Sequence, residues 1–143
     1  MTDSLHEACA GMNAKRLTRT LIELCEIPSP SKKEGAVAVY IRERIHALGL
    51  FVEEDDAGDH LDGETGNLLV KVPGSVEPPL LLTAHMDTVS MATGYPDCVN
   101  VIITDGVVHT DHKSPLGADD KAGLAIALEL LHHKCECADV LRP

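Results

Sequence analysis

His85-Met86-Asp87-Thr88 and, further along, Gly117-Ala118-Asp119-Asp120-Lys121-Ala122-Gly123 carry the residue types that hold hard metal ions for hydrolytic chemistry. The run before the first motif, Leu80-Leu81-Leu82-Thr83-Ala84, is apolar without alternation. That pattern predicts a central strand covered on both faces. His85 and Asp87 follow it directly, at the carboxyl end, where open α/β sheets bind ligands. Residues two apart in extended chain point to the same side. One imidazole nitrogen can then bind a metal while the neighbouring carboxylate holds the other and fixes the tautomer.

His85 and Asp87 alone fit a strand end with a satisfied polar pair, which is the commoner case. The second motif changes the balance. Asp119 and Asp120 are adjacent acids between a small-residue turn, Gly117-Ala118, and the apolar helical stretch Leu124 to Leu131. Two carboxylates at a helix start can be ordinary capping and dipole chemistry. Capping needs only one of them, and the flanking glycines point to close backbone approach. Read together, the motifs favour Asp119 as a metal ligand.

Thr83-Ala84-His85-Met86-Asp87-Thr88-Val89 and Leu116-Gly117-Ala118-Asp119-Asp120-Lys121-Ala122-Gly123-Leu124-Ala125 resemble the two N-terminal signatures of the zinc-dependent exopeptidases of the peptidase T branch. That family also holds carboxypeptidase G, aminoacylase, acetylornithine deacetylase and succinyl-diaminopimelate desuccinylase. Ile27-Pro28-Ser29-Pro30-Ser31, Gly66-Asn67-Leu68 and Thr104-Asp105-Gly106 are further similar features in the same order. The resemblance implies an α/β three-layer sandwich whose mixed, mainly parallel central sheet is flanked by helices. It implies that His85 and Asp119 bind metal, with Asp119 bridging two zinc ions that cobalt or manganese can replace. Asp87 is the accompanying catalytic residue, orienting His85, and the Asp119–Asp120 peptide bond is cis.

The family's general base and second metal ligand are a Glu-Glu pair beyond the bridging Asp, followed by a further acid and a distant His. No acidic pair follows Asp120 here; only Glu129, Glu136 and Asp139 remain before Pro143. Residues 1–143 are therefore expected to be a partial catalytic domain, without the lid and dimerisation domain or the C-terminal half. The expected activity is metal-dependent cleavage at the N-terminus of short peptides, of the tripeptide aminopeptidase type, with this chain itself inactive. Hydrolysis of N-acyl amino acids is the alternative within the family. A non-catalytic gene product, or a binding partner of a full-length homologue, is the alternative outside it. Full-length family members are often homodimers.

Composition agrees with a small soluble domain. Hydrophobic residues make up 44%, but the Phe, Tyr and Trp side chains are only Tyr40, Phe51 and Tyr95, so the core must be aliphatic. A net charge of -11 argues against nucleic acid or an acidic membrane surface as partner. Met1 to Met12 shows no basic segment followed by an apolar one, and no apolar run approaches a membrane span. Five cysteines, an odd number without disulfide-like spacing, fit reduced thiols and the cytoplasm.

Periodicity predicts an amphipathic helix over Ala14 to Cys25, with Leu17, Leu21, Ile22 and Cys25 on one face. A Pro-containing break follows at Ile27 to Ser31. Ser31-Lys32-Lys33-Glu34 has capping-box spacing and opens a helix ending near Gly49. Strands are expected at Phe51 to Asp55, Leu68 to Val72, Leu80 to Ala84, Val101 to Ile103 and Val107 to His109. Between them lie an acidic loop, Asp56 to Gly66, an irregular segment, Ser90 to Asn100, and a turn at Asp105-Gly106. Met86 points away from the site residues and reads as core. His109 and His112 read as a solvent-facing strand end rather than a ligand pair. His132, His133, Cys135 and Cys137 read as a frayed helix end near the dipole rather than a zinc cluster. Lys121 either neutralises the acid pair or is simply exposed.

Overall fold

Asn13 starts the first helix, α1 (Ala14–Glu26): its extended backbone lets the side chain accept from Arg16 N at 3.0 Å. The helix ends at Ile27, held extended (φ -87°, ψ 112°) because Pro28 follows and excludes the helical region for the residue before it. The structure, a computed structural model, describes residues 11–74, 78–90 and 97–140, with side chains described as far as Glu136.

The second helix, α2 (Gly35–Ala47), begins later than the capping-box reading requires. Lys32 takes a left-handed conformation (φ 72°) and Lys33 N donates to Pro30 O at 2.8 Å, so a tight turn occupies the place of a first helical turn. Glu34 bends back to accept from Lys32 N at 2.7 Å, and Glu64 accepts from Gly35 N at 3.1 Å. The capping box is not made, and the Ser31 hydroxyl is released for another partner. At the other end, Gly49 at φ 72° closes the helix as expected. Gly49 N donates to His46 O and Leu50 N to Ile45 O, the paired bonds of a Schellman ending.

The long helix α4 (Ala118–Val140) lies across both. Leu24 of α1, Val37, Ile41 and Ile45 of α2, and Ala125 and Leu128 of α4 form the buried core, with Met86 packed against it. Each large aliphatic side chain so buried contributes about 1.5–3 kcal/mol. A carboxylate is buried beside this core: Glu129 accepts from Asn13 N at 2.7 Å and from Arg16 Nε and Nη2 at 2.7 and 2.8 Å. Together these contacts dock the start of α1 onto α4.

The remaining elements are small. β1 (Glu53–Glu54) pairs antiparallel with β2 (Leu68–Leu69), and a short helix, α3 (Ala57–Leu61), stands inside the expected acidic loop. β3 (Val101–Thr104) and β4 (Val107–Thr110) form an antiparallel hairpin. Its two-residue turn has Asp105 at φ 51° and Gly106 at φ 77°, the left-handed pair that matches strand twist.

The covered central strand is not formed. Leu80 to Ala84 lies outside every strand, and Leu80, Leu81 and Leu82 are 84%, 74% and 53% exposed. A strand needs neighbours for its N–H and C=O groups. Among the described residues the sheets are two separate antiparallel pairs, and the parallel pairing expected beside this segment is reduced to one bridge, Pro30 to Thr88. Most of the irregular segment Ser90 to Asn100 and the expected N-terminal features lie outside the described residues. No described helix is long and apolar enough to cross a membrane.

Candidate metal centre

Three backbone segments meet at His85, Asp87 and Asp119. The first is Ile27 to Ser31, where the proline-rich sequence prevents helix and leaves an extended strap. Thr88 N donates to Ser29 O at 2.8 Å, and the fully buried Ser29 returns its hydroxyl to Met86 O at 2.9 Å. The strap thus grips the His85–Thr88 segment at Met86 and at Thr88. Lys121 donates from its ammonium to Ile27 O, tying the start of α4 to the other end of the strap.

The third segment is the turn before α4. Gly117 has φ 71°, and a Cβ there would stand 2.5 Å from Thr88 Cγ2. Glycine is required both for the conformation and for the close approach. The next bond but one, Asp119–Asp120, is cis, as the resemblance implied. Asp119 and Asp120 have non-helical dihedrals, after which the helix runs regularly. Asp120 turns inward and accepts from Gly123 N at 3.1 Å, capping the helix. Asp119 turns outward, its side chain 99% exposed.

The two expected ligands converge. His85 Nε2 lies 3.3 Å from Asp119 Oδ1. On its other side, His85 Nδ1 faces the Asp87 carbonyl oxygen and Asp87 Oδ1, each at 3.0 Å. Asp87 Oδ2 in turn accepts from the Ser31 hydroxyl at 2.5 Å. Desolvation lowers the His85 pKa, but the Asp87 carbonyl, the Asp119 carboxylate and both acidic charges outweigh it, leaving it above its ordinary value. The imidazole is therefore set between negative oxygens, an arrangement that favours a positive centre.

The donor set fits part of a zinc site. Zinc–ligand distances of about 2.0–2.2 Å in tetrahedral geometry place two donors about 3.3 Å apart. The His85–Asp119 separation has that value. Catalytic zinc takes about three protein ligands, however, and among the described residues no group of three His, Cys, Asp or Glu side chains converges on one point. Among the described residues two candidate donors, His85 and Asp119, and one further carboxylate, Asp87, come together.

Other expectations resolve more simply. His109 Nε2 lies 2.9 Å from Thr104 Oγ1 and Nδ1 lies 2.9 Å from Thr110 O, so both ring nitrogens are engaged locally. His109 and His112 stack at 6.3 Å between centroids instead of converging on an ion. His132 and Cys135 lie on α4 without forming a described metal cluster, and the Cys137 side chain lies outside the described residues. Lys121 differs from both of its readings: it is fully buried. Burial lowers its pKa to about 8.

Sequence reasoning gave Ser29 no side-chain role and assigned Ser31 to a capping box that is not made. The Pro-Ser-Pro-Ser spacing is the signal for both, since it supplies hydroxyls on a segment that cannot be helical.

No family model matches the chain. Among solved structures it is similar to a tripeptidase from Staphylococcus aureus, at 40% identity and a TM-score of 0.76, covering 89% of this chain and 34% of that one. It is similar also to aminopeptidase PepT from Bacillus cereus, at 30% identity and a TM-score of 0.76, covering 90% and 34%. A curated relative, the uncharacterized protein YqjE of Bacillus subtilis, is 36% identical over 121 residues, 84% of this chain and 32% of its own length. The chain thus spans about a third of the proteins it matches. Over its matched length it is a partial peptidase T-like domain.

Proposed function

We propose that the chain supplies part of the metal centre of a zinc-dependent peptidase that cleaves short peptides at their N-terminus. The observation that carries this is the approach of His85 Nε2 to Asp119 Oδ1, with Asp87 held on the opposite ring nitrogen. The tripeptidase and aminopeptidase likeness supports the substrate class.

In this reading His85 and Asp119 would hold the ion, and Asp119 would be shared with a second. Asp87 accepts from His85 Nδ1, which leaves Nε2 as the donor and makes the imidazole a stronger ligand. Bound zinc lowers the pKa of a water and polarises the scissile carbonyl. The strap from Ile27 to Ser31 and the Gly117 turn hold the two donors at fixed separation, and Asp120 anchors the turn to α4. The proton-transferring carboxylate is not among residues 1–143, since no acidic pair follows Asp120. The chain alone is accordingly assigned metal binding and not turnover.

The complete domain would be a three-layer sandwich in which Leu80 to Ala84 is a central strand. The exposed leucines support this, since an apolar strip of that kind requires covering. Peptide substrate, a cytoplasmic site and the absence of nucleic-acid partners complete the reading. It is tested by a chimera in which residues 13–131 replace the matching third of the S. aureus tripeptidase. Zinc-dependent tripeptide hydrolysis, lost in His85→Ala, is expected. A folded chimera that cleaves N-acyl amino acids but not tripeptides contradicts the substrate class.

A further inference from the structure

We propose that Ser31 is a positioning residue for this centre: its hydroxyl fixes Asp87, and through Asp87 the tautomer of His85. The proposal rests on the metal-binding reading for its function, but not for its structural content.

The geometry is a chain of three contacts. Ser31 Oγ donates to Asp87 Oδ2 at 2.5 Å, Asp87 Oδ1 lies 3.0 Å from His85 Nδ1, and His85 Nε2 faces Asp119 Oδ1 at 3.3 Å. The Asp87 side chain is 36% exposed. An exposed carboxylate exchanges readily among rotamers, and only one of them places Oδ1 on the imidazole. Ser31 donates to the oxygen that does not touch His85, so it selects that rotamer without competing for the ring.

Among the described residues the Ser31 hydroxyl makes no other hydrogen bond. The helix it was expected to cap begins at Gly35 with Glu34 as its flanking residue, and Glu64, not Ser31, accepts from its first N–H. Ser31 is itself held in place on both sides. The Pro30–Thr88 bridge and the Ser29 contacts fix the residues before it, and the Lys33 N to Pro30 O turn fixes those after.

The consequence falls on the neutral imidazole, whose single proton sits on one nitrogen or the other. Nδ1 faces two Asp87 oxygens at 3.0 Å, whereas Nε2 faces one Asp119 oxygen at 3.3 Å. The proton belongs on Nδ1 while Asp87 keeps its rotamer. Loss of the Ser31 donor frees Asp87, removes one Nδ1 acceptor, and raises the share of the Nε2–H form, which cannot bind a metal through Nε2.

The test uses the 143-residue chain and its Ser31→Ala, Ser31→Thr and His85→Ala variants. Long-range 15N NMR on metal-free protein, at a pH where imidazoles are neutral, reads the His85 tautomer, with His85→Ala assigning the signal. Calorimetric zinc titration reads affinity. Ser31→Ala should raise the Nε2–H population and weaken zinc about tenfold, the lower range for loss of a partner behind a ligand. Ser31→Thr, which keeps the hydroxyl, should restore both. A Ser31→Ala protein with unchanged tautomer, or a wild type mainly in the Nε2–H form, overturns the proposal. A tautomer shift in a chain that binds no zinc at His85 supports the positioning role and sinks the metal reading instead.

Discussion

His85 Nε2 and Asp119 Oδ1 stand 3.3 Å apart although 34 residues separate them in the chain. The approach is built by the strap from Ile27 to Ser31, which grips the His85 segment through Ser29 and meets the start of α4 through Lys121. A glycine at position 117 lets the two sides close. Backbone contacts among these three segments set the separation of the two side chains.

The start of α1 depends on a buried charge. Glu129, with its side chain 1% exposed, is neutralised by Arg16, whereas the Glu136 side chain in the same cluster is 51% exposed. Removing one partner of a buried pair costs about 3–5 kcal/mol, so Arg16→Met is expected to cost about 3 kcal/mol, allowing for its partial exposure. Exposed pairs contribute about 0–1 kcal/mol, so Glu136→Gln should cost under about 1 kcal/mol. Urea unfolding of the two variants checks the contrast, and equal losses would contradict it.

Acid should remove the same contribution. Desolvation raises the Glu129 pKa, but hydrogen bonds from Arg16 and Asn13, with the Arg16 charge, outweigh it and hold the carboxyl below its ordinary 4.5. A depressed folded-state pKa gives stability that is present above the unfolded value and lost as pH falls through the folded one. Wild type should lose stability on acidification below about 4.5 more steeply than Glu129→Gln, measured by unfolding midpoints. Parallel curves would contradict the burial of a charged Glu129.

Alkali acts on the buried thiol. Burial pushes Cys25 up from 9.0 to about 11, with the Lys121 charge opposing. A raised folded-state pKa gives stability fully present below the unfolded value and lost as pH rises to the folded one. Between pH 9 and 11, wild type should lose stability relative to Cys25→Ala. Thermal melts across that range would show no divergence if the thiol were accessible.

The chain alone should not hydrolyse tripeptides, with zinc or with cobalt, because no acidic pair follows Asp120 to act as base. Release of amino acids from a tripeptide is the assay. Turnover above a metal-only control that disappears in His85→Ala would mean that another group in these 143 residues supplies the base.

The three longer helices and the hairpin were legible because their signals are local, whereas the short α3 lies where an acidic loop was expected. Pro28 stops α1, Gly49 closes α2, and Asp105-Gly106 sets the β3–β4 turn, each through its own backbone preference. The approach of His85, Asp87 and Asp119 was legible from motif spacing and resemblance, and the cis bond from resemblance alone. Leu80 to Ala84 was misread as a formed strand because apolar composition reports a need for burial and not the presence of neighbours. Ser31 was misread because capping-box spacing fits any serine three residues before a glutamate, and a left-handed Lys32 diverted it to Asp87. Lys121 was misread because nothing in its neighbours announces that an ammonium will be buried against a carbonyl.

The central claim, that His85 and Asp119 form one cation site, is tested most directly by zinc titration of the 143-residue chain beside His85→Ala and Asp119→Asn. One ion per chain is predicted for wild type, with proton release on binding because the His85 pKa is raised. Both variants should lose that ion while their helical circular dichroism stays unchanged. Equal zinc binding by all three proteins would place any metal elsewhere and contradict the assignment.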